Sequence, residues 1–190
     1  MRFIHSDGYI RLRGVSVLGA RLHVHIFAIV VSVLLLVGWI RQPGLGLELV
    51  ACYYGLILLH EAGHAAMARR LGYAAPDIYL GLIHGLCEVD HPDSLRDDAL
   101  IAWGGVLAQL AVAVPLVALA QVDGITAQAA WAIPIGVFGY FSLWMAALNL
   151  VPAFGLDGTK AWRLLPILLA DRRAGAKAKK AMRDLMKRLK

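Results

Sequence analysis

Residues 49–64 read LVACYYGLILLHEAGH, eleven uncharged residues followed by two histidines four apart with a glutamate after the first. At 3.6 residues per turn, His60 and His64 share one helical face and Glu61 lies about 100° around from His60. In a soluble protein a helix carrying such a pair shows a polar stripe opposite an apolar one. This one is apolar all round before His60, so the expected helix, about Leu47 to Leu71 and ended by Arg69, Arg70 and Gly72, crosses a membrane. Ionisable groups at membrane depth are costly and rarely idle.

The rest of the chain fits that placement. Of its 190 residues, 59% are hydrophobic and 17% charged, with a mean hydropathy of +0.65, whereas soluble domains carry about a quarter charged residues. The charges are segregated, eleven of them in the last twenty positions. Further apolar segments run from about Val24 to Ile40, Ala99 to Gln121 and Ala129 to Leu150. A shorter one, Thr159 to Ala170, contains Pro166 and is expected to be interfacial. The stretch Ile78–Val89 is aliphatic, glycine-punctuated and bounded by Pro76 and Pro92, which favours short strands. Irregular or extended backbone at that depth needs protein or a water-filled cavity around it. The expected fold is an all-α polytopic membrane protein with about four transmembrane helices plus a short membrane-embedded strand region between spans two and three.

Basic residues set the expected orientation. Arg2, Arg11, Arg13 and Arg21 precede span one, Arg69 and Arg70 end span two, and nine Lys/Arg follow residue 170; the opposite connections hold Arg41, and Asp123 with no base. Both termini are therefore expected in the cytoplasm, of a bacterial-type cell membrane. This divides the chain into a cytoplasmic N-terminal segment (1–23), an intramembrane core (24–170) and a basic cytoplasmic tail (171–190). The tail has Ala178, Met182, Leu185, Met186 and Leu189 on one side, and either rests on anionic lipid or is solvated. The net charge of +6 is mostly this topology signal and does not point to nucleic acid. No cleavable signal peptide is expected. Cys52 and Cys87 form no disulfide or CxxC framework.

His60 and His64 can hold one metal ion, with Glu61 free to act as general base on a water rather than as a ligand. A catalytic zinc site takes three protein ligands and leaves a position open. The third is sought at the end of span four, in Asn149-Leu150-Val151-Pro152-Ala153-Phe154-Gly155-Leu156-Asp157-Gly158. Asp157 is the only acid between Asp123 and Asp171, and Pro152 allows the chain to leave the helix and fold toward the metal. The bland reading makes the two histidines a packing pair or a proton relay. Among the other histidines, His23 and His25 lie at the mouth of span one, His84 in the strand region and His91 in a polar loop, while His5 is uninformative.

HExxH in an early span joined to Asn-x-x-Pro-x-x-x-Leu-Asp-Gly in a later one resembles the site-2 protease family of intramembrane zinc metalloproteases. The strand region, and Ala102-Trp103-Gly104-Gly105-Val106-Leu107-Ala108-Gln109, where the family usually shows Ala-Gly-Pro-x-x-Asn, extend the resemblance over roughly residues 47–165. It implies one Zn²⁺ held by His60, His64 and Asp157, Glu61 as catalytic acid/base, and Asn149 as a polar helper near the oxyanion. It further implies cleavage of a transmembrane or membrane-anchored protein near the cytoplasmic side, by a minimal, core-only member. Val106 and Gln109 depart from the family pattern. Two other readings stand beside it: a proteolytically inactive relative that binds membrane partners, which would not need Glu61, and a metal- or proton-conducting protein, which would need polar residues in several spans.

Overall fold

The computed structural model describes residues 8–122 and 129–188; Arg2, His5, Asp123 and Leu189 lie outside them. The order is β1 (Tyr9–Val17), β2 (Ala20–His25), α1 (Ile26–Gly38), α2 (Pro43–Arg70), β3 (Asp77–Leu80), β4 (Gly85–Glu88) and α3 (Leu95–Leu119). Then α4 (Ala129–Pro134) continues through a π-helical stretch (Ile135–Phe141) into α5 (Ser142–Asn149), followed by α6 (Gly158–Ala161) and α7 (Leu164–Arg188). Among the described residues, three helices are long and apolar enough to cross a membrane: Pro43–Arg70, Leu95–Leu119 and Trp131–Asn149. Phe27, Leu34 and Trp144 are among the large apolar side chains exposed on helix exteriors, which a lipid solvent does not penalise.

The sheet is larger than the sequence suggests. Among the described residues four strands lie in the order β1-β2-β3-β4, so the expected strand region β3–β4 is only half of them. The other half is an N-terminal hairpin closed by the two-residue turn Leu18–Gly19, both at positive φ (49° and 75°), with Val17 paired to Ala20. Such turns match the twist of the strands they join. β2 pairs parallel with β3, placing Arg21 opposite Asp77. Asp77 is 5% exposed and accepts hydrogen bonds from the Arg21 guanidinium and, at 2.8 Å, from His23 Nε2. Burial would raise the Asp77 pKa, but these two partners outweigh it and hold the carboxyl below its ordinary range. The predicted first span is shortened accordingly. Val24 and His25 belong to β2, and His25 caps α1 by accepting from the Phe27 amide. The 13 residues of α1 extend about 20 Å, short of the roughly 30 Å hydrocarbon core.

The 28 residues of α2 extend about 42 Å. Tyr54 Oη donates to Ala28 O at 3.1 Å, so the first turn of α1 lies level with residue 54 of α2. The rest of α2, His60 and His64 included, runs on beyond α1 and beside the sheet. Tyr53 Oη donates to Leu82 O at 2.9 Å and ties the β3–β4 turn to α2. α2 ends in a Schellman motif: Tyr73 N–H bonds Ala68 O, Gly72 N–H bonds Arg69 O, and Gly72 takes φ +93°. α3 starts at Leu95, four residues before the expected Ala99. Ser94 Oγ accepts from the Asp97 amide at 3.0 Å, and Asp97 and Asp98 occupy the first turn, an arrangement that favours a helix start. α2 and α3 cross in near-backbone contact. A Cβ on Gly63 would lie 2.4 Å from Gly104 O, and one on Gly104 would lie 2.5 Å from Gly63 O. The expected short helix Thr159–Ala170 is instead divided between α6 and α7. Pro166 is the third residue of α7, where its missing N–H costs no helical bond.

Candidate metal centre

Two segments bring the donors together. His60 and His64 occupy successive turns of α2, both buried, while Asp157 lies just after the break at Pro152. Asp157 Oδ2 is 2.9 Å from His60 Nε2 and 3.3 Å from His64 Nε2, and the two Nε2 atoms are 3.0 Å apart. Donors about 2.0–2.2 Å from a tetrahedral ion stand roughly 3.4 Å apart, close to the spacing of these three. The nitrogens on the far side of each ring are already engaged. His60 Nδ1 lies 3.0 Å from Gln109 Oε1 and His64 Nδ1 lies 2.8 Å from Ile101 O. Both bonds are of the outer kind that orients metal-binding imidazoles. Two imidazole nitrogens and one carboxylate oxygen converging on a point suit zinc, and the residues present fit that ion.

α3 supplies no donor, yet it touches the support of all three. Ile101, Gly105 and Gln109 are four residues apart and form one stripe along the helix. A Cβ on Gly105 would come within 2.6 Å of both His60 Cε1 and His64 Nε2, so the rings rest directly on its backbone. The loop of Asp157 is anchored to the same helix. Trp103 Nε1 donates to Ala161 O at 3.0 Å, and Lys160 Nζ lies 2.9 Å from Asp98 Oδ1. Gly158 lets the loop fold tightly back, since a Cβ there would lie 2.4 Å from the carbonyl oxygens of Leu150 and Val151.

Glu61 is 5% exposed and is not in the group whose donor atoms all lie within 4.8 Å of one another, which comprises His60, His64 and Asp157. It faces the sheet instead. A Cβ on Gly85 in β4 would sit 2.5 Å from Glu61 Cγ. Asn149 closes α5 half-buried, and its side chain makes no hydrogen bond among the described residues. His84 is exposed in the β3–β4 turn. His23 and His25 serve the sheet and the start of α1. Gln109 reaches His60 directly.

No protein-family model matches the chain. Stage IV sporulation protein FB of Bacillus subtilis (strain 168) is 26% identical over 148 residues, 76% of this chain and 47% of that protein. The chain therefore spans about half the length of that curated relative. Among solved structures, the Site-2 Protease from Methanocaldococcus jannaschii superposes with a TM-score of 0.65 at 23% identity, over 83% of this chain and 71% of that one. The chain shares its fold. The first likeness is one of sequence and the second one of fold.

Proposed function

We propose, from these two likenesses and the site's geometry, that the chain is a zinc-dependent intramembrane endopeptidase of the site-2 protease type, acting on a transmembrane or membrane-anchored protein near the cytoplasmic face. The observation that carries this reading is the convergence of His60 Nε2, His64 Nε2 and Asp157 Oδ2 beside a buried glutamate, within an apolar helix. A zinc ion held by these three would polarise the scissile carbonyl and bring the pKa of an attacking water toward about 7.

The chain's own groups supply the remaining steps. Glu61 accepts the water's proton and delivers it to the leaving amine, and the packing of Gly85 against it limits the carboxylate's freedom to swing away. Asn149 donates to the oxyanion. β4 is the outermost strand on the Glu61 side of the sheet, so a locally unwound substrate adds there as a further strand. The basic residues that flank the spans support cytoplasmic termini.

The test is cleavage of a membrane-anchored substrate by wild type, Glu61→Gln and Asp157→Ala, with zinc measured in each. Glu61→Gln should keep its zinc and lose cleavage, and Asp157→Ala should lose both. Cleavage by Glu61→Gln at the wild-type rate would refute the reading. Proline replacements along β4 should abolish cleavage and leave zinc content unchanged.

A further inference from the structure

We infer that Gln109 is a positioning residue: its side-chain carbonyl holds His60 in the tautomer that leaves Nε2 free for the metal. The inference rests on the metal reading above and adds to it a role for α3.

A neutral imidazole carries one proton, on Nδ1 or on Nε2, and only the unprotonated nitrogen can ligate. Around His60 two acceptors compete for that proton. Asp157 Oδ2, 2.9 Å from Nε2, draws it to the nitrogen that must be free. Gln109 Oε1, 3.0 Å from Nδ1, draws it to the other side. Were the Gln109 amide turned over, its NH₂ would donate to Nδ1 and favour the wrong tautomer. The carbonyl orientation is therefore the one that matches a metal at Nε2.

Gln109 is 1% exposed in a helix segment otherwise made of Val106, Leu107, Ala108 and Leu110. A buried amide without a partner is destabilising, so the bond to His60 is also what makes a glutamine tolerable there. His64 needs no such side chain, because its Nδ1 is held by the backbone carbonyl of Ile101. The orientation of His60 is thus the half of the site that depends on a substitutable side chain.

The test compares the full chain in detergent as wild type, Gln109→Met, which keeps the shape and loses the acceptor, and Gln109→Glu, which restores an acceptor. Zinc affinity is read by chelator competition and site geometry by the visible spectrum of the cobalt form. In the metal-free protein at alkaline pH, ¹⁵N-histidine NMR reads the tautomer directly. Gln109→Met should bind zinc about 10–100-fold more weakly and populate the Nε2–H form of His60. Gln109→Glu should recover most of the affinity. Wild-type affinity in Gln109→Met, or a Glu variant as weak as the Met one, would overturn the inference. So would a metal-free wild type with the His60 proton on Nε2, whatever the variants do. A wild type that binds no zinc would instead overturn the metal reading itself.

Discussion

Gly63→Ala should damage the site although residue 63 contributes no side chain to it. The added Cβ would lie 2.4 Å from Gly104 O and 2.7 Å from Ala108 Cβ, where an ordinary carbon–oxygen contact is about 3.4 Å. The obstruction is helix backbone, so α2 and α3 must part by about 1 Å. His60 and His64 hang on this crossing through bonds of 3.0 Å to Gln109 and 2.8 Å to Ile101. Lengthened by that amount, both leave hydrogen-bonding range. Overpacking costs about 2 kcal/mol and the two bonds about 1 kcal/mol each. Alanine's better helix propensity returns about 1 kcal/mol. The net destabilisation is about 3 kcal/mol, and zinc affinity should fall by at least tenfold, as for loss of an outer partner. Thermal unfolding in detergent and chelator competition measure the two effects. Gly44→Ala is the control, in the same helix and with nothing within 4 Å of the new carbon. Gly63→Ala with an unchanged melting temperature and an affinity within about twofold of wild type would refute the close-crossing argument.

Three other perturbations separate the parts of the molecule. Gly85→Ala places a carbon 2.5 Å from Glu61 Cγ, and the three atoms nearest to it all belong to Glu61. It should cut cleavage about 100-fold, the usual cost of a 1 Å misplacement, at unchanged zinc content; full activity would show that β4 does not hold Glu61. Trp103→Phe removes the indole bond to Ala161, worth about 1 kcal/mol; zinc should bind about fivefold more weakly, and an unchanged affinity would mean the Asp157 loop is held without it. Asp77, with its folded-state pKa lowered, stabilises the fold above its unfolded value of about 3.9, and that contribution is lost as the pH falls through the lower folded value. Wild type should therefore melt higher than Asp77→Asn near neutral pH, with the gap closing below about pH 4; a gap constant through that range would contradict it.

What the sequence made legible was whatever has a short period or a strong solvent preference. The pairing of His60 with His64 needs only the helical repeat, and the membrane helices follow from hydropathy. Asp157 stood out as the one acid in a long neutral stretch, and the structure brings it to the two histidines. The N-terminal hairpin is masked in the sequence by Arg11, Arg13 and Arg21, which read equally well as a topology signal. The alternation of Ile10 with Leu12, and of Ala20, Leu22 and Val24 around Gly19, was the available clue. Its turn lacks the Asn-Gly or Asp-Gly pair that usually marks one. The π-helical stretch after Pro134 has no comparable pattern. Gln109 was visible as a polar residue in an apolar helix, but its partner is 49 positions away, and only the α2–α3 crossing reveals it.

The parallel pairing of β2 with β3 also orders events in time. β2 ends at His25 and β3 at Leu80, with both α1 and α2 between them. At roughly 5–20 residues per second of synthesis, the completed N-terminal hairpin waits several seconds for its third strand. During that interval the edge of β2 is open to any passing strand, the hazard that charged edge residues suppress. Arg21 and His23 stand on that edge until Asp77 arrives opposite them. When it does, both α1 and α2 have been synthesised, because the two helices lie between the paired strands. The last strands can therefore close the sheet only after both helices have been made.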